Sequence, residues 1–469
     1  MARWRTAAAV WSTLEAPDDS LDAPVAAPLP PRRKGGRADG GGRVASDMNE
    51  VLDELKWRGL LANSTDEEAL AAHLDAGPVT FYVGFDPTAP SIHFGNLVQL
   101  MVARILQRAG HRPLILVGGS TGLIGDPKDA GERTLNSPEV VAAWVERIRG
   151  QVSRFVDFAG DNPARLVNNL DWTGSLPVLD FLRDVGKHFP VNRMLARDVV
   201  RNRLEQGISY TEFSYVLLQS FDYLELFRTR GCTLQFGGSD QWGNITAGVE
   251  LVRRVEGVRV HALATPLLTK ADGTKFGKTE SGTVWLDPSM TTPYAFHQYF
   301  LSAEDTKVID YLKVFSPRCQ EEIEELARLT ETEPWRRVAQ RALADDATDL
   351  VHGVAERDAA VAAAQALFGQ SDLAGLSEPV VAGVVAELGP AELSGVGGWP
   401  TVAEVLQASG VVSSRSAGRR AAAEGGAYLN NRRITDGDAA LAPEDLLHGR
   451  WVIVRRGKKT VGAVTITDV

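Results

Sequence analysis

Tyr82-Val83-Gly84-Phe85-Asp86-Pro87-Thr88-Ala89-Pro90-Ser91-Ile92-His93-Phe94-Gly95-Asn96 puts a strand end, a proline-bounded loop and a helix opening next to one another. The run 79–85 is apolar, with β-branched and aromatic residues, and predicts a buried strand. Pro87 and Pro90 make the loop. A helix is expected from about Gly95 to Arg108, ended by Gly110. A second apolar strand, Pro113–Val117, runs into Gly118-Gly119-Ser120-Thr121-Gly122. Strand, helix and strand in so short a span form a βαβ unit and predict a parallel sheet. Ligands in such sheets bind beyond the carboxyl ends of the strands, where 82–96 and 118–133 converge.

Working outward, the chain has 469 residues, enough for about three domains. Hydrophobic residues make up 44%, which excludes a wholly disordered protein. No run approaches the ~18 apolar residues that span a bilayer, so no membrane association is expected. Two distant cysteines, Cys232 and Cys319, exclude a disulfide scaffold and a multi-cysteine zinc site, and suit a reducing compartment. A net charge of −10 excludes a globally basic coat for nucleic acid. Residues 401–469 differ, with 10 Lys/Arg against 7 Asp/Glu.

Residues 1–47 lack periodicity and hold Pro-Leu-Pro-Pro (28–31), Arg32-Arg33-Lys34 and glycine runs. They read as a disordered extension or a start assigned too early, with Met48 the expected start. Glu15, Asp18, Asp19 and Asp22 argue against an organellar transit peptide, and no secretory h-region is present. Thr65-x-x-Glu68 predicts a capping box opening a helix through Leu74. From about 290 the pattern turns helical, through Ile323, Leu326, Leu329, Val338 and Leu343. The Gly-, Ser- and Pro-rich 371–400 reads as a linker. The expected domains are 48–290, 291–370 and 401–469.

Four groups of residues point to chemistry. His93 and Asn96 stand at the mouth of a helix, where N–H groups and the helix dipole favour phosphate; a satisfied polar cap is the alternative. Lys275-Phe276-Gly277-Lys278-Thr279 follows Ala271-Asp272-Gly273-Thr274 and suits a mobile clamp on a polyphosphate. It is no Walker A loop, because Asp272 stands where that loop needs glycine. A solvated basic loop is the alternative. Tyr215, Gln219 and Asp222 are spaced i, i+4, i+7 and share a helix face, either as a polar site or as part of an amphipathic helix. Arg415 with Arg419, and Ser416 with Arg420, give one helix a basic face that can follow an RNA backbone or simply face water.

Taken together, the helix-opening motif and the two-lysine loop resemble the paired ATP-binding motifs of class I aminoacyl-tRNA synthetases. The resemblance is closest to the bacterial tyrosyl-tRNA synthetases. It is carried by YVGFDPTAPSIHFGN (82–96), LVGGSTGLIGDP (116–127), GISYTEFSY (207–215), GGSDQWGNITAG (237–248) and TKADGTKFGKT (269–279), and covers everything after residue 47. The first motif ends in Asn96 rather than histidine. The loop after Asp126-Pro127 is one residue shorter than the usual pattern, with Lys128 displaced. The segment 401–469, through Gly425-Gly426-Ala-Tyr428-Leu-Asn430-Asn431-Arg432, resembles the S-four-like RNA-binding module.

The resemblance implies an α/β chain: a Rossmann-like parallel-sheet catalytic domain, a helical anticodon-region domain and a small α+β S-four-like domain. It implies ATP-dependent activation of L-tyrosine and transfer to tRNA(Tyr), without a catalytic base. His93, Asn96, Lys275, Lys278, Thr279 and Arg133 would act on the phosphates. Tyr82 and Asp222 would meet the phenolic hydroxyl. Tyr215, Gln219 and Asp126 would hold the ammonium group, and Gln241 the carboxylate. Gly84, Asp86, Thr88, His93, Gly95, Asn96, Gly238, Asp240 and Lys278 would line the ATP side. Arg415, Ser416, Arg419, Arg420, Asn430 and Arg432 would contact RNA. ATP enters as substrate with Mg2+, and no dedicated metal site is expected. A cytoplasmic homodimer is implied, with 181–210, including Phe189 and Tyr210, as its interface. The rival readings are a tryptophanyl synthetase and a catalytically silent RNA-binding protein.

Overall fold

Parallel pairing of the two strands around the opening motif organises the first half of the chain. The structure, a computed structural model, describes residues 49–127, 135–205, 207–279, 282–367, 372–395, 398–457 and 460–467. The readings of 1–47, Lys128 and Arg133 lie outside these residues. Two units divide the chain: residues up to Asp287 with Thr306–Glu324, and Pro288–Asp305 with Glu325–Val469.

The first unit holds a six-stranded sheet: β1 (Asn63–Ser64), β2 (Thr80–Phe85), β3 (Arg112–Val117), β4 (Arg165–Asn168), β5 (Cys232–Gly238) and β6 (His261–Thr265), in the order β1-β6-β5-β2-β3-β4. β1 is antiparallel to β6, and every other pairing is parallel. β3 is apolar and buried beyond its first residue, and β6 is buried throughout, with polar His261 and Thr265 at its ends, as a sheet covered on both faces requires. The chain runs outward from β2 to β3 and β4, then returns to β5 on the other side of β2. The order reverses between β2 and β5, and a crevice opens at their carboxyl ends.

Helix α1 (Glu67–Asp75) departs from the predicted capping box. Its N-cap is Asp66, whose carboxylate accepts from Ala69 N–H at 3.0 Å. Thr65 is committed elsewhere: Ala262 N–H donates to its hydroxyl at 3.1 Å where β1 meets β6. Helix α2 (Phe94–Arg108) is capped by the motif itself. His93 Nδ1 accepts from Gly95 N–H at 3.1 Å, and Asn96 Oδ1 accepts from His93 N–H at 3.1 Å. Leu97, Leu100, Val102 and Leu106, spread around α2, are all fully buried, so the helix is covered on nearly every side. Helices α3 (Tyr210–Arg230) and α4 (Trp242–Glu256) pack on the sheet and end at left-handed Gly231 and Gly257. A short ribbon pairs β7 (Lys278–Thr279) with β8 (Gly282–Thr283).

The second unit corrects the expected domain boundaries. Residues 306–324, expected in the helical domain, group with the first unit. The expected linker 371–400 contains the helix Glu378–Glu387 and strand β9 (Ala391–Ser394). β9 joins a sheet with β10 (Ala427–Leu429), β11 (Arg432–Ile434), β12 (Trp451–Arg456) and β13 (Thr460–Thr467), in the order β11-β10-β12-β13-β9. Composition misled here because Val381, Val384 and Val385, set among small residues, are buried. β12 shows the reason by its alternation. Val452 and Val454 face one cluster with Leu406 and Val464; Trp451 and Ile453 face another with Val381, Val384 and Leu367. A strand buried on both faces needs cover from both sides, and the helix Glu378–Glu387 supplies one side.

Candidate active site

A cleft of about 440 Å³ opens at the carboxyl ends of β2 and β5. Tyr82, Asp126, Tyr215, Gln219, Asp222 and Gln241 line it, as do Gly84, Asp86, Thr88, His93, Gly95, Asn96, Gly238, Asp240, Lys275 and Lys278. Residues from both ends of the first unit's sequence thus meet in one space. Only the backbone of Thr279 is described.

The floor is polar and buried. Asp222, on α3, is 2% exposed. Its carboxylate accepts from Asn169 Nδ2 at 3.0 Å and from Trp172 Nε1 at 2.9 Å. Burial pushes its carboxyl up to about 8, against those two donor bonds, which favour the charged form. Tyr82 is also 2% exposed, and its hydroxyl has no hydrogen-bond partner among the described residues. Burial, then the charge of Asp222, raises its phenol well above the ordinary value. An orphaned buried hydroxyl costs free energy, and a ligand hydroxyl would recover it.

Folding protonates Asp222 over a range where the unfolded chain has lost that proton. Its contribution to stability is therefore fullest below the ordinary carboxyl range and declines as pH rises toward about 8. We expect Asp222→Asn to gain stability on the parent chain between pH 5 and pH 9, read as the urea midpoint of each. A gap constant with pH would mean the buried carboxyl titrates normally.

Next to the floor, Asp86 Oδ2 accepts from the Tyr215 hydroxyl at 2.5 Å, and Asp86 Oδ1 from the Thr121 hydroxyl at 2.6 Å. Asp126 accepts from Gln241 Nε2 at 2.7 Å and Asn244 Nδ2 at 3.1 Å. Gln219 Oε1 is buried without a partner among the described residues. The glycine run after β3 serves packing: a Cβ on Gly118 would sit 2.2 Å from Asp86 Oδ1, and one on Gly119 would sit 2.3 Å from Asn168 Oδ1. Close approach to these side chains demands glycine.

The mouth is cationic. Lys275 and Lys278 are exposed on either side of half-buried Phe276 and buried Gly277. Desolvation in the cleft lowers the His93 pKa, and the charges of Lys278 and Lys275 add to that. His93 is therefore neutral near pH 7. Because Nδ1 accepts from Gly95 N–H, the proton sits on Nε2, which makes that nitrogen a donor. Among the described residues no group of three His, Cys, Asp or Glu can hold a metal ion.

Asn169, Trp172, Thr121 and Asn244 were not singled out from the sequence. The polar run Asn168-Asn169-Leu170-Asp171-Trp172 directly after a strand was the available signal.

The expected RNA-contact residues separate in the second unit. Arg415 pairs with Glu404 at 2.9 Å, Arg419 with Asp438 at 2.7 Å and Arg432 with Asp445 at 2.5 Å. Arg420 and Ser416 are exposed. Asn430 is committed to the fold: with Asn431 it turns β10 into β11 at positive φ of 45° and 66°. Its Nδ2 donates to Asp445 O at 2.6 Å, and its Oδ1 accepts from Ile453 N–H at 2.9 Å. Two successive left-handed residues are what a two-residue hairpin turn demands. Arg455, which sequence reading passed over, lies 4.1 Å over the Tyr428 ring.

Residues 74–369 match the family described as tRNA synthetases class I (W and Y). Residues 397–463 match the Tyrosine–tRNA ligase SYY-like C-terminal domain. A tyrosine–tRNA ligase of Cutibacterium acnes is 65% identical over 89% of this chain and all of that relative. One from Streptomyces coelicolor is 58% identical over 90% of this chain and all of that relative. Among solved structures, a C-terminally truncated mitochondrial tyrosyl-tRNA synthetase of Aspergillus nidulans aligns with a TM-score of 0.60 at 31% identity, covering 68% of this chain and 94% of that one.

Proposed function

The chain belongs to the class I tyrosyl-tRNA synthetases, and from that premise we propose how its residues divide the two steps of tyrosine–tRNA ligation. Tyrosine and ATP give tyrosyl-adenylate and pyrophosphate, and the tyrosyl group then passes to the 3′-terminal adenosine of tRNA(Tyr). The observation that carries the assignment is the floor of the cleft: an orphaned buried Tyr82 hydroxyl beside the buried Asp222 carboxylate.

In this reading the substrate phenol donates to Asp222 and accepts from Tyr82. Its ammonium group lies against Asp126, Tyr215 and Gln219, with Gln241 toward the carboxylate. Asp86 and Tyr215, bonded to each other, join the two halves of the pocket. The tyrosine carboxylate oxygen attacks the α-phosphorus, the bond from that phosphorus to the bridging oxygen breaks, and the electron pair leaves on pyrophosphate. The carboxylate is already a nucleophile, so the rate comes from alignment and from stabilising charge on the leaving group. His93 Nε2–H, Asn96, Lys275 and Lys278 supply that stabilisation at the helix opening. Asp240 faces the ribose. Thr279 and Arg133 share the phosphate role by family resemblance. Mg2+ enters as the counter-ion of ATP. The S-four-like part of the second unit holds tRNA through Arg415, Ser416, Arg419, Arg420 and Arg432, and helices of 291–370 face the anticodon region. The family resemblance implies a cytoplasmic setting.

ATP–pyrophosphate exchange tests the activation step. Exchange with tyrosine and none with phenylalanine or tryptophan is expected. Exchange with tryptophan instead would transfer the assignment to the sister specificity.

A homodimer completes the proposal. Val178, Leu179, Val191 and Tyr210 are exposed by 68%, 75%, 60% and 68%. So apolar a stretch within one surface segment is characteristic of an interface. Phe189 packs inward against Met194 and Val216 of its own chain, so it supports this surface from below. Leu179→Asp is expected to shift the mass measured by light scattering from dimer to monomer. A parent chain that runs as a monomer at micromolar concentration would remove the proposal.

A further inference from the structure

The loop carrying Lys275 and Lys278 is closed on itself by backbone bonds. Lys270 N–H donates to Thr274 O at 2.8 Å, Gly273 N–H to Lys270 O at 3.0 Å and Phe276 N–H to Leu268 O at 3.0 Å. Asp272 Oδ1 accepts from the Thr274 N–H at 2.8 Å and from its hydroxyl at 2.6 Å. These bonds give the loop its shape. On its cleft side Val284 N–H donates to Gly277 O at 2.9 Å and Leu286 N–H to Ile92 O at 3.1 Å, which carries the chain back to His93. Aromatic contacts hold its other side. The Phe276 ring lies 4.1 Å from Tyr311, 5.3 Å from Phe94 and 6.1 Å from Phe315, centroid to centroid. Phe94 and Phe315 are themselves 6.0 Å apart. Tyr311, Phe94 and Phe315 are buried. The Tyr311 hydroxyl donates to Thr269 O at 2.9 Å, so the helix Val308–Phe315 grips the loop at its entry and at its turn toward the cleft.

Gly277 completes the fit. Its φ is +90°, and a Cβ there would come within 2.8 Å of Phe94 Cδ2. The backbone must pass this close for Phe276 to reach its seat. Phe94 is the first residue of α2 and the chain neighbour of His93. The aromatic contact therefore joins, side chain to side chain, the two segments proposed to face the triphosphate, which the backbone bonds of 284–286 also link.

We propose that Phe276 is a positioning residue for tyrosine activation: seated among Phe94, Tyr311 and Phe315, it sets the distance from Lys275 and Lys278 to the His93–Asn96 helix opening. The inference rests on the assignment of those lysines to the triphosphate. A lysine on an unanchored loop spends interaction energy on ordering the loop before it can stabilise charge. A misplacement of about 1 Å costs on the order of 10²-fold in rate.

The test is single-turnover formation of tyrosyl-adenylate by the full chain, with Phe276→Ala, Phe276→Leu, Lys278→Ala and the double variant of Phe276→Ala with Lys278→Ala. Phe276→Ala is expected to lower the rate constant at saturating ATP by ~10–100-fold. The tyrosine dissociation constant stays unchanged, because the floor of the pocket is untouched. Phe276→Leu, which still fills an apolar seat, keeps most of the rate. Lys278→Ala costs much less in the Phe276→Ala background than in the parent, because a displaced lysine has little left to lose. A parent-like rate in Phe276→Ala, or full additivity in the double variant, overturns the proposal. Lys278→Ala without effect in the parent would instead remove the lysine assignment on which the proposal stands. If Phe276→Ala loses its cooperative unfolding transition, Tyr311→Phe decides. Freed of its bond to Thr269, the loop is expected to lose several-fold in rate with tyrosine affinity intact, and an unchanged rate overturns the anchor.

Discussion

Lys278→Ala is expected to lower tyrosyl-adenylate formation by ~10²–10³-fold while leaving tyrosine binding unchanged. The leaving pyrophosphate gains negative charge as the α-phosphorus bond breaks, so a cation that meets it is worth more in the transition state than in the Michaelis complex. Lys275, Lys278, His93 and Asn96 line one cleft. Desolvation lowers the His93 pKa, and the charges of the two lysines lower it further. A KM for tyrosine that rose with the fall in rate would point to a pocket collapse instead. Lys278→Arg keeps the charge on a longer, planar group and is expected to fall between parent and alanine.

The second large effect concerns the phenol. Asp222→Ala is expected to lower kcat/KM for tyrosine by ~5–150-fold, because it leaves a buried substrate hydroxyl without one of its partners, at about 1–3 kcal/mol. Tyr82→Phe removes a neutral partner and should cost about 0.5–1.5 kcal/mol. The two losses are expected to be non-additive, since in the proposed pocket both residues address one hydroxyl. Phenylalanine meets the opposite change. In the proposed pocket of the parent chain it would leave Tyr82 and Asp222 facing an apolar ring edge; in the variants that penalty would shrink. Tyrosyl synthetases are themselves the standing example of such rejection, at about 10⁵ against phenylalanine, a magnitude belonging to the family and not to this geometry. Exchange assays with both amino acids on each variant read the ratio directly. An unchanged ratio in Asp222→Ala would place the selectivity elsewhere in the pocket. Asp222→Ala also strands Asn169 Nδ2 and Trp172 Nε1, so part of its cost is structural. Tyr82→Phe carries no such debt, because its hydroxyl has no partner to strand among the described residues.

The parallel sheet around the helix-opening motif was legible because its strands read as continuous apolar runs and its helix opens on capping residues. The stripe Tyr215, Gln219 and Asp222 was visible as a spacing and ambiguous as a function. It becomes a pocket floor once β2 brings Tyr82 beneath it. The capping box was misread by one residue because Thr65 answers to β6, a partner remote in sequence. The linker reading of 371–400 failed for a similar reason. Small apolar residues look like spacer until a strand buried on both faces needs them as cover.

By itself, the sequence determined the chemistry on offer: which polar side chains the chain has, in which local patterns, and which strand and helix each rides on. These follow from periodicity, capping and turn chemistry, which act over a few residues. Only the tertiary structure decided which of those side chains share one volume, which are consumed as caps and turns, and which are left without a partner. Asn430 is consumed by a hairpin, Tyr82 is left open, and Phe276 is seated against residues far along the chain. Burial is what separates these fates. It makes an unpaired hydroxyl costly, a buried carboxyl reluctant to ionise and an aromatic contact stabilising, and it is set by packing between segments that no local pattern records.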